Sequence, residues 1–215
     1  MRSPCHSLWR MRAVLVGVAL EALGCVSTVH VIPVPARPDT RRTPAYSPIS
    51  LYFDPALVAC HPTASITGPT NTLTVGMDAD FALGPALSKT VLDTVRTHFR
   101  EVKEVSSPHC GPGTSGLLVA KLAKPPEVQI HWVQKFWTIG GGTSVEILTD
   151  VAVHTCDGRE IWRTVVSSFR TEDMWQLFVH IPGEGAFRPA VDLALVDLAQ
   201  KLDVALASAD FSALD

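Results

Sequence analysis

Few side chains in this sequence stand at the spacings that chemistry requires. His61, His98, His109, His131 and His180 are scattered, with no metal-ligand spacing among them. Asp150 and His154, four apart in an alternating stretch, would share one face of a strand, and an enzyme built on this chain would use them. A polar row on a half-exposed sheet is the plainer account of that pair. Gly113-Thr-Ser-Gly116 lacks the Gly-x-Ser-x-Gly spacing of a nucleophile elbow. Gly140-Gly-Gly142 lacks the Lys-Ser/Thr of a phosphate loop and reads as a place where a strand connection closes or loosens. Cys60-His61 and His109-Cys110 offer two sulfurs and two imidazoles, but as adjacent pairs and not as the two-residue-spaced knuckle of structural zinc. No catalytic residue, metal or cofactor is expected.

Cys25 differs from the other cysteines in what precedes it. Arg2, Arg10 and Arg12 stand before the apolar core Ala13–Leu20, which Glu21 interrupts. That core is too short for a bilayer span, which needs about 20 apolar residues, and a carboxylate in hydrocarbon costs about 2.5–3.5 kcal/mol. A basic start, a short apolar core and a small residue before the cut describe an export signal. Ala22-Leu23-Gly24 before Cys25 resembles the lipobox of bacterial lipoproteins, with Ala22 where that pattern prefers Leu. Ala22-x-Gly24 also satisfies the small-x-small rule of ordinary signal peptidase, which would release a soluble protein. An apolar N-terminal element of the fold is the third reading. In the lipoprotein reading residues 1–24 leave and Cys25 is acylated, each buried methylene contributing about 0.8 kcal/mol to anchoring.

Cys5 would leave with the signal, so Cys60, Cys110 and Cys156 remain for an oxidising compartment. Cys60–Cys110 is the expected pair, since both lie in polar, turn-rich stretches; the count leaves one thiol over. The 215 residues carry a formal net charge of −3, with no basic footprint for nucleic acid. A hydrophobic content of 47% is that of a globular chain.

The remaining elements follow in order. Val26–Pro48 holds Pro33, Pro35, Pro38, Pro44 and Pro48 with Arg37, Arg41 and Arg42, so 25–48 is expected to be the acylated cysteine and an extended linker. A single domain should occupy 49–215. Ser50–Phe53 and Asn71–Met77 read as strands. Gly84-Pro85 opens a helix whose Leu87, Val91, Val95 and Phe99 fall four apart, with Lys89, Asp93, Arg96 and Arg100 outside. Val102–Val105, Gly116–Leu122 and Val128–Trp132 are short alternating pieces. Val145, Ile147, Thr149, Val151 and Val153 alternate up to Asp157-Gly158, and a second run follows through Ile161, Val165 and Phe169. A two-residue type I′ turn would put Cys156 opposite Arg159 and Val153 opposite Trp162. A last helix carries Phe187, Val191, Leu195, Leu198, Leu202, Ala205 and Leu206 on one stripe, with Asp192, Asp197, Lys201 and Asp203 outside. The class is therefore α+β: an antiparallel or mixed sheet with two helices on one face, after a signal peptide and a Pro-rich tether.

Bulky apolar residues also fall in loop-like places. Phe136, Trp137 and Ile139 adjoin the glycine triplet, and Trp175 and Phe178 lie between the hairpin and the last helix. Exposed, they would form a partner-binding surface; folded back on the sheet, they would be core.

The layout of Phe81–Phe99, Leu117–Leu122, Val145–Phe169 with its Asp157-Gly158 turn, and Phe187–Leu206, behind the export segment and tether, resembles the small outer-membrane lipoproteins of Gram-negative bacteria. The YajG-like group is the particular likeness, and the lipopolysaccharide-assembly lipoprotein that plugs its translocon is a broader one. The resemblance carries over one functional residue, Cys25, and Val26 after it would imply outer-membrane sorting by the enterobacterial rule. It implies a non-catalytic binding or assembly accessory, facing the periplasm, whose partners are the membrane, through its lipid, and another envelope protein. A soluble periplasmic ligand-binding module and a periplasmic enzyme are the alternatives.

Overall fold

Alternation of β-branched residues on either side of Asp157-Gly158 builds the longest feature of the fold, a hairpin of two 18-residue strands. A computed structural model describes residues 27–38, 43–66, 77–135, 138–177 and 184–214, with the backbone alone at 27, 66, 77, 132–135, 138–140, 174–177 and 184. The elements run β1 (Ser27–Val31), β2 (Ile49–Phe53), α1 (Pro55–Val58), β3 (Thr63–Ile66), β4 (Met77–Phe81), α2 (Leu83–Val95), β5 (Val102–Val105), β6 (Gly116–Leu122), β7 (Glu127–Lys135), β8 (Thr138–Thr155), β9 (Glu160–Leu177) and α3 (Glu184–Ala207), closed by a 3-10 turn at Ser212–Leu214. Of the strand expected over Asn71–Met77, only Met77 lies within the described residues.

β9 pairs with β8 along almost its whole length, and β6 and β7 share the other edge of β8 end to end. β2 lies between β5 and β6, parallel to both. A second, three-stranded sheet joins β1 parallel to β4 and β3 antiparallel to it. The fold is α+β with mixed sheets, as the sequence pattern implied. No described helix is long and apolar enough to cross a membrane.

Two local expectations are corrected. Val153 does face Trp162, but the turn holds Cys156–Arg159 and not two residues. Gly158 sits in the left-handed region (φ 92°), its N–H donating to the Thr155 carbonyl at 2.9 Å, while the Thr155 N–H reaches the Arg159 carbonyl at 2.9 Å. A bulge beside Val153/His154 absorbs the extra residue and restores the register. The second correction concerns the linker. Its prolines begin only at Pro33, and the β-branched Ser27–Val31 stretch before them pairs with β4. Val31 and Ala36 are buried, the Val34 N–H donates to Asp192 at 2.8 Å, and the Ala36 N–H donates to Thr90 Oγ1 at 3.0 Å.

The helices follow their predicted stripes. Leu87, Val91, Val95 and Phe99 are buried on and after α2, and Phe187, Val191, Leu195, Leu198, Leu202 and Leu206 on α3. Each such burial contributes about 1.5–3 kcal/mol. Gly84 is required because a Cβ there would lie 2.1 Å from the Val58 carbonyl oxygen, where α1 crosses the start of α2. α3 lies against β8, β9 and α2, which covers more of its circumference than one stripe. Asp197 and Asp203, expected outside, are consequently buried. Asp197 accepts from Arg170 Nη2 at 2.7 Å and lies 2.8 Å from Lys201 Nζ. Burial would raise its carboxyl, but the Lys201 and Arg170 charges beside it hold it below the usual range. Asp203 Oδ1 lies 2.9 Å from His98 Nε2. Tyr46, Phe99, Trp162 and Phe211 meet ring to ring at 4.8–5.7 Å, and the Tyr46 hydroxyl donates to the Ala209 carbonyl, pinning the C-terminal segment to β9.

Candidate functional site on the open sheet face

Alternation sends Val145, Ile147, Val151 and Val153 of β8 into the core, so Glu146, Leu148, Asp150, Ala152 and His154 stand on the opposite face. Register then places Phe169 beside Glu146, Val165 beside Asp150 and Arg163 beside Ala152 from β9. From β6 it adds Lys121 beside Asp150, Val119 beside Ala152 and Leu117 beside His154. Phe169 and Val165 are 58% and 52% exposed on this face.

Asp150 does not work with His154. Four residues of strand separate them by about 13 Å, and Asp150, 3% exposed, is held elsewhere. Arg163 grips both of its oxygens, Nε at 2.9 Å from Oδ1 and Nη2 on Oδ2, and Lys121 Nζ lies 3.5 Å away. The Arg163 hydrogen bonds, against burial, keep this carboxyl below its ordinary range. Asp150 is thus a cross-strand clamp.

At the turn end of this face lies a cleft of about 510 Å³. Leu117, Val119 and His154 line it together with Pro108–Cys110 on one side and Thr155–Gly158 on the other. The two sides are joined by a disulfide, Cys110–Cys156, with Cα atoms 5.5 Å apart. This corrects the expected Cys60–Cys110 pair. The turn brings Cys156 to the loop carrying Cys110, whereas Cys60 is a buried free thiol beside α2, its carbonyl accepting the Gly84 N–H. Burial pushes the Cys60 thiol up, which makes it inert. The loop is anchored independently: Gly111 N–H donates to the buried Ser50 Oγ at 2.7 Å, and Lys103 Nζ donates to the Pro112 carbonyl at 3.0 Å. On the turn, the Thr155 hydroxyl and the Arg159 N–H hold the Asp157 carboxyl low. Among the described residues no group of three or more His, Cys, Asp or Glu side chains could hold a metal ion.

Of the predicted aromatic surface, Phe136, Trp137 and Phe178 lie outside the described residues. Ile139 and Trp175 sit in strands and not in loops, Ile139 opposite Gln134 and Gln176, and Trp175 opposite Gly140. The glycine triplet does not close a connection. It runs through the middle of the sheet, flanked in register by Val133 and Trp175, Trp132 and Met174, and His131 and Asp173. A Cβ on Gly142 would meet His131 Nε2 at 2.6 Å and Asp173 Oδ1 at 2.9 Å, so these two side chains converge over the bare backbone. Nothing in the sequence joins residues 131 and 173; only the register of three strands does.

No family model matches the chain, and no curated protein matches it. It is similar in structure to a Xanthomonas campestris protein of family DUF330, at 12% identity and a TM-score of 0.44 over 83% of this chain and 92% of that one. It is also similar to a neuraminyllactose-binding hemagglutinin homolog from Helicobacter pylori, at 7% identity and a TM-score of 0.46 over 80% of this chain and 90% of that one.

Proposed function

We propose that this is a lipid-anchored cell-envelope protein, held at the outer membrane through Cys25 and facing the periplasm. It acts as a binding or assembly accessory, not a catalyst, and engages another envelope protein with the open face of its main sheet. The observation that carries this reading is the pair Phe169 and Val165, large apolar side chains more than half exposed on a sheet face that ends in the disulfide-held cleft. Apolar side chains grouped on an exposed sheet face are where a partner surface would pack. The export layout of Met11–Cys25 supports the location.

The test has two arms. Intact mass of the membrane-extracted protein should show a peptide beginning at acylated Cys25, and Cys25→Ser should leave the membrane fraction. A photocrosslinking residue at position 169 should then yield one discrete adduct in cells, lost in Val165→Asp. No adduct from 169 refutes the sheet-face reading. An unmodified Cys25 in the soluble fraction replaces the anchored accessory with a soluble periplasmic ligand-binding module.

A further inference from the structure

We infer that this protein pairs with a second copy of itself along the outer edge of β9, the two strands antiparallel about a two-fold axis at Ser167 and the two α3 helices side by side. Among the described residues β9 pairs with β8 alone, so Arg163–Thr171 has no strand on its far side. In a strand the N–H and C=O of one residue point to the same edge, and those of the next residue to the other. The Leu148 carbonyl accepts the Ala123 N–H on the β6 side, so the even residues of β8 bond toward β6 and the odd ones toward β9. Register sets Thr149 against Val166 and Val151 against Thr164, which leaves the odd residues of β9 pointing outward. The Ser167 carbonyl does so, accepting Lys201 Nζ of α3 at 2.7 Å. An open edge of this length is a template for another strand.

Two features name a second copy as that strand. Turned about Ser167, β9 sets Val165 against the partner's Phe169 and Phe169 against the partner's Val165, which groups these exposed apolar side chains on the open face. Arg163 then meets the partner's Thr171, and Thr164 the partner's Arg170, so no like charges oppose one another. Moving the axis one residue either way sets Phe169 against Ser167 or Arg163 instead. The second feature lies on α3. Its outward positions Pro189, Leu193, Val196, Gln200, Val204 and Ala207 fall on one stripe, all exposed and none charged, where a helix facing water ordinarily carries charge. Lys201 ties α3 to β9 level with Ser167, so the same axis passes by Gln200 and brings Val196 against the partner's Val204. α3 packs on both β8 and β9. Strands stand about 4.8 Å apart, so a helix over the gap between them lies about 5 Å from the axis and about 10 Å from its copy, the spacing of packed helices. The Ser167 carbonyl keeps a lone pair for the partner's N–H, and Asp197 at 2.8 Å offsets the Lys201 charge. The open face itself stays uncovered, so the pairing adds to the envelope contact proposed above and depends on neither that contact nor the lipid.

The test uses the full-length product purified in detergent, free of other envelope proteins. Sedimentation should give twice the mass of one chain, halved in Val204→Glu, a change at a position 65% exposed that should leave the circular dichroism spectrum as it was. Under mild oxidation Ser167→Cys should trap a covalent dimer, because residues opposed there stand about 5.5 Å apart at Cα, within disulfide reach. Thr171→Cys should not, since its two copies would lie roughly 27 Å apart along the strands. Cys60 is buried and Cys110–Cys156 is bonded, and the parent protein sets the background from any other thiol. A monomeric parent, a mass that Val204→Glu leaves unchanged, or equal trapping at Ser167 and Thr171 overturns the pairing. The envelope-partner reading fails separately, by a missing adduct from position 169 in cells.

Discussion

The disulfide assignment makes the sharpest prediction, because the sequence and the fold name different partners for Cys110. Cys110–Cys156 closes a loop across 46 residues of separation. In the chain-entropy treatment that constraint removes about 13–14 cal/mol/K from the unfolded chain, or about 4 kcal/mol at 25 °C. Replacing both cysteines by alanine should therefore lower urea stability by up to about 4 kcal/mol, a fall in Tm of about 8–16 °C for a domain of this size. Cys60→Ala removes one buried atom beside α2 and should cost about 1 kcal/mol. Alkylation gives a second readout. Cys60 should resist reagent in the native protein, react on unfolding without reductant, and leave Cys110 and Cys156 unlabelled until reduction. If Cys60→Ala proved as damaging as Cys156→Ala, or if Cys156 were the thiol alkylated without reductant, the pairing and the cleft built on it would be wrong.

Other expectations follow from single contacts. Gly84→Ala should destabilise by about 1–3 kcal/mol through overpacking, since its Cβ meets the Val58 carbonyl at 2.1 Å; helix propensity alone would give about 1 kcal/mol of the opposite sign, so a urea titration decides between them. Asp150 has a depressed carboxyl in the folded state, so the unfolded chain takes up its proton first as pH falls. Its stabilisation is complete above about pH 5 and lost as pH drops through the folded value. Asp150→Asn should flatten that part of the stability–pH curve, and an unchanged curve would show that Arg163 does not hold the carboxylate. Phe211→Ala should cost about 3–5 kcal/mol and raise hydrogen exchange over residues 209–214, because Phe211 is where Tyr46, Phe99 and Trp162 meet; a loss under 1 kcal/mol would refute the aromatic cluster as an anchor.

Short-range periodicity carried much of the fold, because burial on one side of an element repeats at its own period. The hairpin of β8 and β9, the stripe Leu87-Val91-Val95-Phe99 and the core residues of α3 were all legible in this way. Prolines misled at 25–48 because the strand occupies the proline-free part before them. The turn misled in its length because Asp-Gly serves a longer, bulged connection as well as a two-residue one. Asp197 and Asp203 misled because charge marks a solvated face only when nothing else packs there, and α3 meets the sheet on one side and α2 on another.

What the sequence determined by itself, then, was local: the α+β class, the long hairpin and the apolar stripes of α2 and α3. The site lay beyond it. Pairing Cys156 with Cys110, gripping Asp150 with Arg163 away from His154, folding His131 and Asp173 over Gly142, and joining Ser27–Val31 to β4 each bring together residues from separate strands or loops. Such contacts depend on strand register and loop closure, which the whole set of packed elements decides together and no single stretch encodes.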